Sequence, residues 1–175
     1  MTTTNTKLAV WKTVKIGDLT DEKLWTILRN NRPYCHVCFG FIENDKFQVS
    51  KEATELDIVA PSCIELGVDV TATYQEICKR AETLGLELCP QEVSVLLWLK
   101  NDRSVGERTV IATDPIEGQV LMVVRSWYAR GFYKTFTANA LMPIKLGASL
   151  THSQKEVVAR GQQMRFAFVK PRKQE

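Results

Sequence analysis

The sequence predicts an α+β fold, a mostly antiparallel sheet packed against two or three helices, in one domain spanning residues 1–175. Three observations carry this. Short runs rich in apolar, β-branched and aromatic residues recur along the chain between Gly, Pro, Asn and Asp turns, which is the pattern of strands. Two segments, 20–30 and 73–84, instead repeat apolar residues at every third or fourth position, as amphipathic helices do. The length of 175 residues, with 45% apolar and 25% charged residues, suits one hydrophobic core, and no repeat or low-complexity linker divides it.

Taken in order, residues 1–7 are Thr- and Asn-rich and are expected to fray. Leu8–Ile16 favours a strand through its β-branched and aromatic content, ended by Gly17-Asp18. Leu19–Asn31 reads as a helix: Thr20 caps it, Asp21 and Glu22 suit its positive end, and Leu24, Ile27 and Leu28 form its stripe, with Leu19 stapling onto Leu24. Pro33 stops it. Tyr34–Ile42 is a second strand or a short buried segment, and Lys46–Ser50 a short strand. Leu56–Ala60 is apolar, but Pro61 argues against a central ladder position. Cys63–Leu66 is a further apolar piece before Gly67.

The helix at 73–84 has the fullest set of local signals. Thr73 and Glu76 have capping-box spacing, Tyr74, Ile77, Cys78, Ala81 and Leu84 share one face, and Gly85 supplies the left-handed stop. Glu76 and Arg80 are placed for an i,i+4 ion pair. Leu86 and Leu88 lead to Pro90. The run Val93–Lys100 is either a central strand or a short buried helix, because periodicity does not separate the two. Arg108–Thr113 is a strand. Gln119–Tyr128 and Gly131–Thr137 read as a hairpin turning at Ala129-Arg130-Gly131. Leu141–Leu150 carries no decisive signal. Ser153–Arg160 suits one or two helical turns, Gln163–Val169 is a closing strand with Met164, Phe166 and Phe168 on one side, and residues 171–175 form a flexible basic tail.

From Phe47 to Ile116, about half the chain resembles a family of uncharacterised bacterial proteins. The residues that carry this are Glu65-Leu66-Gly67, then Glu76-Ile77 with Arg80-Ala81, then Leu84-Gly85-Leu86-Glu87-Leu88-Cys89-Pro90-Gln91-Glu92-Val93, and later Ile111-Ala112-Thr113-Asp114-Pro115-Ile116. The family has no established activity, so the resemblance implies no cofactor and no catalytic residue. The chain departs from the family pattern at Ser94–Leu99, where an apolar run replaces a Gly-Pro and a Leu-Arg-Leu strand.

Several constellations bear on chemistry. Cys35 and Cys38 have the spacing of half a zinc site or of a redox pair, but Cys63, Cys78, Cys89 and His152 are scattered, so no second pair completes a four-ligand site and no metal is expected. No phosphate-binding glycine loop, nucleophile elbow or metalloprotease motif occurs, and no cofactor is expected. Ala81-Glu-Thr-Leu-Gly85 has the spacing of a helix-turn-helix turn, although the following residues are those of a core. Residues 1–89 carry 10 basic and 13 acidic residues and residues 90–175 carry 13 and 7, so the second half is net basic. Within it Arg125, Trp127, Tyr128, Arg130, Tyr133 and Lys134 interleave cations with aromatic rings, the composition of a surface that stacks bases and neutralises phosphates, or equally of a core with a solvated rim.

The odd count of five cysteines and the polar Met1–Thr6 point to a cytoplasmic protein, and Val93–Leu99 is too short to span a membrane. The expected function is therefore a non-enzymatic cytoplasmic binding or regulatory protein acting through a protein or nucleic-acid partner. The alternative is a small enzyme whose site is built from Cys89, Glu92 and neighbouring residues.

Overall fold

The computed structural model describes residues 8–30, 39–99, 108–128, 136–147, 150, 155 and 163–172. Six strands, β1 (Lys12–Ile16), β2 (Thr54–Val59), β3 (Arg108–Ile111), β4 (Gln119–Tyr128), β5 (Phe136–Lys145) and β6 (Arg165–Lys170), form one sheet in the order β1-β2-β6-β3-β4-β5. Every pairing is antiparallel except β3 with β6, which is parallel. The helices are α1 (Asp21–Asn30), α2 (Phe39–Ile42), α3 (Cys63–Leu66), α4 (Tyr74–Thr83) and α5 (Glu92–Leu99). The fold is thus α+β, with a mostly antiparallel sheet.

The core lies on both faces of that sheet. On one, Val14, Ile58, Ile111, Leu121, Val123 and Ala167 pack with residues of α1, α2 and α5. On the other, Val59, Val110, Val120, Met122, Phe166 and Phe168 pack with residues of α3 and α4. The inner strands are therefore apolar at successive positions rather than alternating. Strand β6 illustrates it: Phe166 and Phe168 face α4 while Ala167 and Val169 face α5, and all four are buried. The expected closing strand is an interior strand of the sheet.

Several local expectations hold. Thr20 caps α1 through its hydroxyl and its carbonyl, which accept from the amides of Lys23 and Leu24. The Thr73–Glu76 capping box is closed in both directions, and Gly85 takes a left-handed φ of 75°. Others are corrected. Of the expected strand or short buried segment at Tyr34–Ile42, residues 34–38 lie outside the described residues, and Phe39–Ile42 is a helical turn rather than a strand, with Phe41 and Ile42 buried and a T-shaped contact between Phe41 and Phe47. Lys46–Ser50 forms no strand. Strand β2 is interior although Pro61 follows, because the ladder ends at Val59 and Pro61 needs only its carbonyl, which accepts from Phe166. Glu76 turns back to Thr73 and Arg80 donates from Nε to the Leu66 carbonyl at 2.8 Å, so the pair expected between them is not made. Leu84 is exposed.

The hairpin of β4 and β5 pairs Gln119 with Lys145 through to Tyr128 with Phe136, so among the described residues its second strand runs from Phe136 to Lys145 and extends well past the expected end at Thr137. Strand β5 is at the sheet margin, where Pro143 is tolerated. Residues 1–7, 129–135 and 173–175, and all of 153–160 but Lys155, lie outside the described residues.

The undecided run is α5. It is apolar around its circumference and is buried accordingly, with Val93, Val95, Leu97 and Trp98 in the core. The chain reaches it by crossing the sheet. Leu86 belongs to one core and Cys89 to the other. Between them Glu87 exchanges two backbone hydrogen bonds with Val169, both 2.9 Å, and the Cys89 amide donates to Ala112 at 2.6 Å. Helices α4 and α5 therefore stand on opposite faces of the sheet, which removes the helix-turn-helix reading. The side chains that would read a groove fill a core.

Candidate functional site: a cleft where β1 leaves β2

The corner proposed for an enzyme resolves first. Cys89 is buried, its thiol donates to the Ala167 carbonyl at 3.4 Å, and burial pushes its pKa far above the usual thiol range. Such a thiol is not a nucleophile at neutral pH, since the thiolate is the reactive form. Glu92 is 0% exposed, and its two oxygens accept from the amides of Ser50 (2.8 Å) and Gly17 (3.5 Å). It ties the first turn of α5 to the end of β1 and to the segment before β2. Gly17 must be glycine for this, because its φ is 81° and a Cβ would run into the Glu52 carbonyl. Both groups are committed to structure.

A different place is open. Lys12 is the register partner of Ile58, and the amide of Trp11 also donates to the Ile58 carbonyl at 2.7 Å. Lys12 at the start of β1 and Trp11 just before it thus both face one residue of β2, the pattern of a β-bulge, and a bulge bends its strand out of the ladder. Residues 8–10 diverge from β2 and leave a cleft of about 450 Å3 lined by Leu8, Val10, Trp11, Val59, Pro61 and Arg165, with Glu65 at its margin. That volume falls in the range of about 300–1,000 Å3 typical of ligand pockets.

Backbone alternation shows what β2 presents there. The carbonyl of Ile58 faces β1, and that of Pro61 faces β6, where it accepts from Phe166. Ala60, two residues after Ile58, therefore turns its backbone groups toward the cleft. Its carbonyl accepts from Arg165 Nη1 at 2.7 Å. The same Nη1 lies 3.2 Å from Glu65 Oε2. Glu65 also accepts from the Ser62 amide (2.8 Å) and hydroxyl (3.0 Å), closing the capping box of α3. Burial raises the Glu65 pKa, but the two Ser62 donors and Arg165 outweigh it and hold the carboxyl below its usual range. Lys170 Nζ donates to the Leu8 carbonyl at 2.8 Å.

This cleft was not singled out from the sequence. One signal was present: Ser62 and Glu65, followed by Gly67 at a φ of 72°, have the spacing of a short capped helix. Arg165 had none, since its partners lie 100 and 105 residues away. Of the residues expected to bind a partner, Arg125, Trp127 and Tyr128 are on β4, opposite Asn139, Thr137 and Phe136, while Arg130, Tyr133 and Lys134 lie outside the described residues. Cys35, Cys38 and His152 lie outside them too. Among the described residues no group of three or more His, Cys, Asp or Glu is placed to hold a metal, and no helix is long and apolar enough to cross a membrane. Comparisons with protein-family models, with curated proteins and with solved structures find no match to this chain.

Proposed function

We propose that the protein is a non-enzymatic binding or regulatory protein that engages a protein partner at the cleft between residues 8–11 and the end of β2. The observation that carries this is the bulge at Trp11 and Lys12, which opens the backbone of Ala60 beside apolar walls and an arginine. An exposed strand edge with pockets for alternate side chains is how many domains take up an extended peptide. The thiol and carboxylate of the alternative, enzymatic reading are both sealed in the core, which favours binding over catalysis there. Free thiols at Cys78 and Cys89 support a reducing compartment, the cytoplasm.

Val10, 45% exposed on the cleft wall, is the place to test it. A benzoylphenylalanine at position 10 is expected to crosslink a protein in cells, and the same group at exposed position 82 on α4 is not. Equal adducts from both positions overturn the reading. A nucleic-acid partner would show itself instead as retention on oligonucleotides that falls steeply with salt.

A further inference from the structure

Resting on that reading, we infer that the cleft takes the carboxyl terminus of a partner polypeptide, with Arg165 as the carboxylate anchor and Ala60 as the backbone contact. The argument begins with the hydrogens of one guanidinium. Arginine carries five N–H donors in a fixed planar fork. Nη1 has two of them, and two acceptors stand against it, the carbonyl of Ala60 and Oε2 of Glu65. Both hydrogens on that nitrogen are thereby used. Nε and Nη2 keep a parallel pair of N–H bonds along the other edge, and among the described residues these have no acceptor. Two parallel donors match the two oxygens of a carboxylate, the geometry in which arginine binds such groups most strongly.

Among the residues lining the cleft Arg165 and Glu65 are the two that carry charge, and Glu65 meets the guanidinium only at Nη1, which leaves the other edge for a second carboxylate. Arg165 is held in place rather than free to swing, because the Ala60 carbonyl and the α3 capping box fix Nη1 from two sides. Its side chain is nevertheless 39% exposed, so the second edge is accessible.

The remaining walls select what carries the carboxylate. Leu8, Val10, Trp11 and Pro61 give the cleft an apolar lining beside the guanidinium. By strand alternation the Ala60 amide is turned to the β1 side of β2, where no backbone acceptor among the described residues meets it. An extended chain laid along β2 supplies that acceptor from its own backbone, its last side chain enters the pocket, and its terminal carboxylate reaches the free fork. A simple fatty acid satisfies the pocket and the fork but leaves the Ala60 amide without an acceptor, and for that reason a peptide is the better occupant.

The test is fluorescence anisotropy with a labelled pentapeptide ending in Val-Leu, carrying either a free carboxylate or a terminal amide, and decanoate as competitor. The free acid is expected to bind, the amide about ten-fold or more weakly because the charge-assisted fork is lost. Val10→Glu, which places a like charge at an exposed wall without touching the core, is expected to abolish binding. Arg165→Lys keeps the charge but not the fork, and is expected to weaken the free acid and narrow its advantage over the amide. Equal binding of acid and amide to the wild type overturns terminal recognition while leaving the cleft as a peptide site. Displacement of the peptide by equimolar decanoate overturns the polypeptide in favour of a lipid acid. Binding of neither peptide below about 1 mM overturns the inference, and the crosslinking from position 10 then decides on its own whether a protein docks there.

Discussion

Two carboxylates, Glu92 and Glu65, each stand in the first turn of a helix and each accept from backbone amides, yet one is fully buried and the other is 42% exposed beside an arginine. Glu92 joins three segments distant in sequence, and no cation among the described residues pairs with it. Glu65 closes its own helix cap and braces Arg165 at the rim of the cleft. The difference is one of solvent. A carboxylate with both oxygens on backbone donors in a dry core is a structural tie whose removal leaves unsatisfied amides. A carboxylate sharing a guanidinium at an open rim contributes little to stability and much to the position of that guanidinium.

Glu92→Ala is the change that tests this contrast hardest. It strips the acceptor from the amides of Ser50 and Gly17 and leaves space within a close-packed core. Hydrogen bonds to charged groups and buried orphan donors together put the expected loss at about 2–4 kcal/mol, read as a lowered urea midpoint. A loss under about 0.5 kcal/mol, the level of an ordinary surface change, would mean that the carboxylate ties nothing, and the corner would again deserve study as a site.

Cys89 sharpens the same side of the comparison. In the native protein it is expected to resist iodoacetamide until unfolding, because its burial disfavours the thiolate. Cys78, half-buried on α4, has its pKa pushed up to about 11, chiefly by burial, and is expected to react slowly. Cys89→Ser keeps a donor for the Ala167 carbonyl but puts a more polar group in an apolar setting, and is expected to cost about 1–2 kcal/mol. Native-state alkylation of Cys89 faster than a free thiol at pH 7 would contradict the buried, protonated group and revive the enzymatic reading.

How much of this was legible in the sequence follows the range of the interactions. The Thr73–Glu76 box and the Gly85 stop are set within a few residues and were read correctly. Whether Val93–Leu99 is helix or strand was not readable, since a segment buried on all sides loses the periodicity that would tell them apart. That β6 is an interior strand depended on a second helical layer that no strand announces about itself. The cleft was the least visible feature. It arises from a bulge opposite Ile58 and from an arginine more than 100 residues from the carbonyl it holds, and neither has a local mark. The Ser62–Glu65 spacing is the one exception, a local cap signal for a helix of a single turn.

The smallest expected effect belongs to Glu65 and concerns acid. Its pKa is lowered in the folded protein, so it adds stability that is fully present above the unfolded carboxylate value of about 4.3 and is lost as pH falls through the lowered folded value. Glu65→Gln lacks that contribution at every pH. The stability difference between wild type and variant should therefore be greatest above about pH 5 and shrink toward pH 3. Asp57, Asp69 and Glu76 are lowered as well, by their hydrogen-bonded partners, but they are present in both proteins and cancel in the difference. Because Glu65 is well exposed, solvent screening keeps the effect small. Its presence in urea titrations from pH 3 to 6 would nonetheless establish that Arg165 and Ser62 hold the carboxylate charged at the cleft rim. A difference that stays flat across that range would leave Nη1 of Arg165 with only the Ala60 carbonyl, and the fork offered to a partner would no longer be fixed on two sides.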